Sequence, residues 1–443
     1  MLDIEPLFHI DNLSLIMMGL VGFVTISIVS FSSRYLKGDR KQSFFYLNLA
    51  ILISIIFIMV SADHLFLLLV LWAASNYFLT RLMRHKREWE AARQSSILAI
   101  KNFGLGLIFL GSSFSILYIV TGETSIQIML SKPIETPWVI ISGLLMLLAT
   151  MTQSALWPFH RWLTSSLNSP TPVSAIMHAG LVNGGGFILA RFAPMLLEQP
   201  VTLNIIFITG VITATLGILW KLMQSDVKRM LACSTMGQMG FMIAQCGLGL
   251  FPAAVAHLCW HGLFKAYLFL ASGSAAQEQR LDLEYPPSLK HFSMALIGGA
   301  LGAYMFSLTS GKNIFAADTT LLLILLAMIA GTQFALPILR RHSLVKIPLA
   351  TLVTALIGAL YGLSMCFIEQ LLTPLAISNP QPLNGLHLLA LFVLTGAWLA
   401  ILFGRHPKQK QIPTWMLKIY VRMLNASQPH PKTVTAHRNQ YQF

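Results

Sequence analysis

The sequence predicts an all-α protein, a polytopic transmembrane bundle of about thirteen helices. Three observations lead there. Of 443 residues, 55% are hydrophobic and only 10% are charged, against about 25% charged in an ordinary soluble domain. Apolar runs of bilayer-crossing length recur along the chain. The bases between those runs gather on alternate loops.

A spanning helix needs about 20 largely apolar residues. Such runs lie near 12–33, 43–60, 64–80, 96–119, 138–157, 173–192, 204–221, 230–249, 253–275, 293–310, 320–339, 347–370 and 384–403. The mean hydropathy of +0.69 agrees with that density. The opening MLDIEPLFHIDN is acidic where a cleaved targeting segment would be basic, so the first run is expected to insert as a span.

The net charge of +14 could suggest a nucleic-acid binder. Its distribution argues otherwise. Of 30 lysines and arginines, 25 fall on loops at 34–41, 81–93, 161, 221–229, 280–290 and 340–346 and on the tail from 405. The opposite loops hold Lys132, Arg191 and Lys312, while Lys101 and Lys265 lie within spans. This asymmetry predicts an outside N-terminus, a cytoplasmic C-terminus and an odd span count. No basic-aromatic groove pattern supports nucleic acid as a partner; membrane lipid is the expected surrounding. Cys233, Cys246, Cys259 and Cys366 sit in apolar runs without paired metal spacing and read as small core residues.

Two regions follow: a transmembrane bundle over 1–403 and a cytoplasmic tail over 404–443. In the tail, Ile412, Trp415, Met416, Ile419, Tyr420 and Met423 recur at helical spacing around Lys418 and Arg422. The spacing predicts an amphipathic helix over 411–424, lying on the membrane or on a partner. From about 427 the chain is polar and reads as extended.

Ionisable groups within a bilayer are costly and default to functional candidates. In HLCWHGLFK, residues 257–265, spacings of four place His257, His261 and Lys265 along one helix face. Imidazoles both accept and donate protons near neutral pH, so the row can relay protons. It can equally tie helices together by hydrogen bonds. A metal site from His257 and His261 fits the spacing, but no acidic or cysteine ligand shares their face, so none is expected.

In residues 154–180, Pro158, Pro170 and Pro172 interrupt the helical run in a polar, small-residue stretch, and His178 follows directly. Irregular backbone at membrane depth is tolerated where protein buries it or where it lines a cavity. An ordinary proline-kinked loop is the plainer reading. Gly184, Gly185 and Gly186 permit close approach or a bend. Farther on, Asp226, Lys228 and Arg229 stand at the entrance of the span near 230–249, where the two bases also serve as a positive-inside anchor. Lys101 and Lys221 complete the set of candidate proton carriers. No phosphate loop, dinucleotide fingerprint or nucleophile–histidine–acid arrangement is present, so the chain is not expected to be an enzyme on its own.

These stretches together resemble the antiporter-like family: the L, M and N subunits of complex I and the large subunits of multisubunit cation/proton antiporters. PTPVSAIMHAG is similar to the family's breaking-loop motif, DVKRMLACSTMGQMGFM to the stretch after it, and HLCWHGLFKAYLFLASGS to its histidine–lysine helix. IDNLSLIMMG and SADHLFLLLVLW resemble its early helices. The resemblance implies the antiporter-like subunit fold with a discontinuous helix, and a proton relay through His257, His261 and Lys265.

Three positions depart from the family pattern. Ala73 stands where the family carries a glutamate after Trp72, Gln153 replaces its central lysine, and Gly104 replaces the acidic companion of Lys101. A shortened L-like chain ending LNASQPHPKTVTAHR also looks like the DabB family, the membrane subunits of two-component inorganic-carbon uptake complexes in the bacterial inner membrane. That resemblance implies a DabA-like partner with a zinc-containing, carbonic-anhydrase-like site, and no cofactor in this chain. The loop at 81–95 and the tail would dock that partner. Two other readings remain: a cation/proton antiporter or NADH-quinone oxidoreductase-type subunit, and a non-conducting membrane scaffold.

Overall fold

The computed structural model describes residues 7–276, 286–341, 347–404 and 413–434. Arg280, Lys346, Arg405, Lys408, Lys410 and Arg438, and the first two positions of the predicted tail helix, lie outside those residues. Among the described residues the protein is helical, with only isolated bridges in place of strands. Among those residues twelve helical segments, the interrupted Thr171–Arg191 included, are long and apolar enough to cross a bilayer. The chain is therefore a multi-span membrane protein.

In chain order the helices are α1 (Asn12–Tyr35), α2 (Gln42–Val60), α3 (Leu65–Met83), α4 (Glu90–Thr121), α5 (Ile126–Ser131) and α6 (Thr136–Gln153). Next come α7 (Arg161–Thr164), α8 (Thr171–Ala179), α9 (Gly184–Arg191), α10 (Ala193–Leu197), α11 (Pro200–Leu222), α12 (Val227–Gly247) and α13 (Phe251–Leu270). The last are α14 (Leu289–Ser310), α15 (Thr320–Arg341), α16 (Ile347–Leu372), α17 (Gly385–Phe403) and α18 (Thr414–Ser427).

The chain divides into two compact units. One comprises Met1–Gly247, His257–Ala276 and Tyr420–Phe443; the other comprises Leu248–Ala256 and Gln277–Ile419. The run from about 427, read as extended, belongs to the first unit and turns through a 3-10 helix at Pro431–Thr433. His160 Nε2 lies 3.3 Å from the Ala426 carbonyl, Asn168 Nδ2 donates to Thr433 O at 2.8 Å, and the His430 amide donates to Ser165 Oγ at 2.8 Å.

The one predicted span missing from those twelve, 230–249, is α12, a 21-residue helix less apolar than the other spans. Its small residues explain the difference. A Cβ on Gly217 of α11 would lie 2.4 Å from the Gly237 amide nitrogen, and one on Gly240 of α12 would lie 2.4 Å from that of Ala214. The two backbones pack at glycine distance, so α12 faces protein and needs little apolar surface for lipid. In the second unit α14 and α16 use the same device, with Gly358 against the Gly302 carbonyl.

Candidate proton-handling site

The site forms in the first unit around a break in one span. Pro172 occupies the first turn of α8, where its fixed φ fits and its missing donor costs nothing. The helix stops at Gly180, passes through a short 3-10 turn at Leu181–Asn183 and resumes as α9. The break therefore begins eight residues beyond Pro172. Pro158 and Pro170 belong to the preceding loop instead, where Ala155 takes a left-handed φ of 53°.

Side chains receive the backbone carbonyls that the break releases. Gln153 Nε2 donates to Leu181 O at 3.1 Å, Ser154 Oγ to Val182 O at 2.6 Å, and Asn183 Nδ2 to Ala179 O at 2.7 Å. Satisfying those groups inside protein makes a non-helical segment tolerable at membrane depth. The residues of α8 and α9 are almost all buried.

His178 lies at the end of α8, 1% exposed, with its ring stacked 4.2 Å from Phe269. Its Nδ1 is 3.0 Å from Thr235 Oγ1 on α12, and that hydroxyl donates to Leu231 O at 3.0 Å. A hydroxyl has one proton, so Thr235 accepts from His178, which fixes the Nδ1–H tautomer. Lys265 Nζ donates to the same Leu231 carbonyl at 3.2 Å. The Leu231 oxygen therefore joins lysine, threonine and histidine in one network. Lys265 is 1% exposed and forms no ion pair among the described residues.

His261 and His257 extend the row along α13. Gly262 allows the approach, since a Cβ there would lie 2.8 Å from the Ala179 carbonyl at the break. The His261 ring bonds the backbone of His178, and the two α13 rings lie nearly parallel, 6.1 Å apart. The Nε2 atoms of His257 and His261 are buried without a hydrogen-bond partner among the described residues. Such a row can accept, hold and pass protons among neutral acceptors.

Of the remaining candidates, Lys228 reaches Ser169 O at 3.4 Å, and Asp226 caps α12 by accepting from the Arg229 amide at 2.8 Å. Arg229 donates to Gln428 in the docked tail at 3.2 Å. The structure does not bring Lys101 to the row. It projects outward from α4 beside Gly104, where a Cβ would meet open space, while Asn102 faces inward and bonds Thr152 O. Lys221 is exposed at the end of α11.

Where the family resemblance implies a glutamate–lysine pair, two amides stand instead. Gln153 and Asn76 bond reciprocally at 3.0 and 3.1 Å, one helical turn beyond the half-buried Ala73. Asn76 was legible as an intramembrane amide four residues after Trp72, yet its partner was not. Arg191, read as an outer-loop base, is buried against Asp11, Ser14 and the Val60 carbonyl.

Comparison with known proteins follows this geometry. The family described as NADH:quinone oxidoreductase/Mrp antiporter, transmembrane, matches residues 62–310, and the complex I chain 5 N-terminus matches 1–46. The chain belongs to the NADH:quinone oxidoreductase/Mrp antiporter family. Within that antiporter family it is similar to DabB-type subunits. The probable inorganic carbon transporter subunit DabB1 of Halothiobacillus neapolitanus is 37% identical over 280 residues, 61% of this chain and 50% of that protein. DabB2 of the same organism is 30% identical over 411 residues, 89% of this chain and 74% of that protein. A solved Mrp complex from Dietzia sp. DQ12-45-1b shares the fold, with a TM-score of 0.65 at 22% identity over 94% of this chain and 52% of that one. The chain spans about half to three fifths of the first relatives' length.

Proposed function

We propose that this antiporter-family chain is the membrane subunit of an inorganic-carbon (bicarbonate or CO2) uptake complex in a bacterial inner membrane. Its His178–Lys265–His261–His257 network moves protons and couples a proton or cation gradient to the work of a partner. By likeness to the DabB-type relatives, that partner is a DabA-like, zinc-containing, carbonic-anhydrase-like subunit on the cytoplasmic side. One observation carries the proton role: Lys265 is buried and held only by a backbone carbonyl that it shares with Thr235 and, through it, His178. No paired carboxylate fixes its proton.

The Asn76–Gln153 amide pair speaks against a cation/proton antiporter worked by a glutamate–lysine pair. The test is co-expression with the partner in a host lacking carbonic anhydrase. Growth in ordinary air is expected from the pair and from neither subunit alone. Failure of the pair overturns the carbon-uptake reading. Full growth with Lys265→Ala in an intact complex overturns the relay and favours a scaffold.

A further inference from the structure

The face formed by the start of α2 and the end of α3 carries two arginines that form no ion pair among the described residues. The Arg81 guanidinium lies 5.0 Å from the centre of the Phe44 ring, 5.8 Å from Tyr77 and 5.7 Å from Phe78. The Arg87 guanidinium stands 5.5 Å from that same Phe44 ring. Aromatic faces attract cations, but two cations on one ring also repel each other.

The nearby carboxylates take other groups as ion-pair partners, and Glu88 also attracts Arg87 at longer range. Asp39 pairs with His85 at 3.1 Å and Glu90 with Arg93 at 2.8 Å. Glu88, the chain neighbour of Arg87, is held by Lys41 at 2.5 Å. Neither Arg81 nor Arg87 forms an ion pair among the described residues.

An apolar stripe continues from this charged end. Tyr77 is four residues before Arg81 and Val70 eleven, which puts all three on one face of α3. Tyr77 is 48% exposed and Val70 63%, and Leu47, one turn along α2 from Phe44, is 59% exposed. The surface thus reads as a cationic head joined to an exposed hydrocarbon track, which matches an amphiphile rather than a free ion.

We propose that Arg81 and Arg87, on the Phe44–Tyr77–Phe78 platform, bind the phosphate headgroup of an anionic phospholipid whose acyl chain lies along Tyr77 and Val70. The guanidinium fork suits phosphate oxygens, and the ring stacking holds it in place. A base near an anionic membrane surface adds about fivefold in affinity.

The test uses the full-length protein in mild detergent, titrated separately with phosphatidylglycerol, phosphatidylcholine and inorganic phosphate. Thermal unfolding and native mass spectrometry report binding. Phosphatidylglycerol is expected to raise the Tm and to remain bound, whereas phosphatidylcholine and phosphate do neither. Arg87→Gln weakens phosphatidylglycerol binding about fivefold and Arg81→Gln at least as much, while Arg93→Gln, whose wild-type side chain is paired with Glu90, leaves it unchanged. Arg87 is exposed, so its variant reads the site even if Arg81→Gln fails to fold. Unaltered phosphatidylglycerol binding by Arg87→Gln overturns the proposal. So does an equal shift from phosphatidylcholine or from inorganic phosphate.

Discussion

Arg191 and Lys265 are both bases taken out of water within the same unit, and the fold treats them in opposite ways. Arg191 meets the Asp11 carboxylate, the Ser14 hydroxyl and the Val60 carbonyl, so its guanidinium is neutralised and its position fixed. Lys265 meets one backbone carbonyl and a neutral threonine–histidine chain. A guanidinium does not release its proton in a protein, whereas a desolvated ammonium does so readily. The first base is a clamp that ties α9 to the start of α1. The second, with no carboxylate to fix its proton, is the carrier in the proposed function.

Breaking the clamp should produce the largest loss of stability. Asp11→Asn leaves a buried guanidinium without its carboxylate, a change that costs about 3–5 kcal/mol in comparable pairs. The expected result is loss of monodisperse protein in detergent, checked by size-exclusion chromatography and thermal unfolding. Lys265→Met should do the reverse. Folding is retained or improved, because a buried charge is replaced by an apolar side chain of similar length, while growth rescue and proton uptake are lost. Equal destabilisation by both variants would erase the distinction between clamp and carrier.

The amide pair offers an intermediate case. Gln153→Leu strands Asn76 and the Leu181 carbonyl inside protein, at a cost of about 1–3 kcal/mol for unsatisfied buried groups. A Tm close to wild type would mean that water takes over those bonds. The small cavity lined by Trp72, Ser75, Gln153 and Gly180, about 20 Å³, has room for about one water.

The contrast between clamp and carrier was only partly legible in the sequence. Hydropathy and loop charge displayed the spans, including the less apolar α12, because the bilayer imposes length and sign on local sequence. The histidine–lysine row was visible because all three residues share one helix. Its partners were not, since Thr235 and the Leu231 carbonyl lie on another helix and a carbonyl has no sequence signature. Arg191 looked like a loop base because its carboxylate sits 180 residues away in the chain. The interruption around the prolines was legible, but the second one at Gly180 was not, because Gln153, Ser154 and Asn183 receive the carbonyls it releases. The docking of the tail rests on backbone groups of Ala426 and Thr433 and was equally invisible.

That docking supplies a pH-dependent prediction away from the row. Burial drives the His160 imidazole from 6.5 down to about 4. The unfolded chain therefore binds this proton first as pH falls. The His160 contribution to stability is complete above 6.5 and is lost progressively toward pH 4. His160→Asn should flatten part of the fall in Tm between pH 7 and pH 5. An unchanged slope would mean that His160 is already charged in the docked state.

Lys101 gives the smallest expected effect and the sharpest control. It lies within a span by sequence, as Lys265 does, yet its side chain points away from the packed interior. It has no buried charge to compensate and no network to supply. A long ammonium side chain in this position extends toward water along the apolar surface. Lys101→Gln should therefore shift stability by no more than about 0.5 kcal/mol and leave proton uptake intact. If it abolished uptake as Lys265→Met does, depth in the membrane rather than enclosure by protein would define the carriers, and the contrast with Arg191 would lose its meaning.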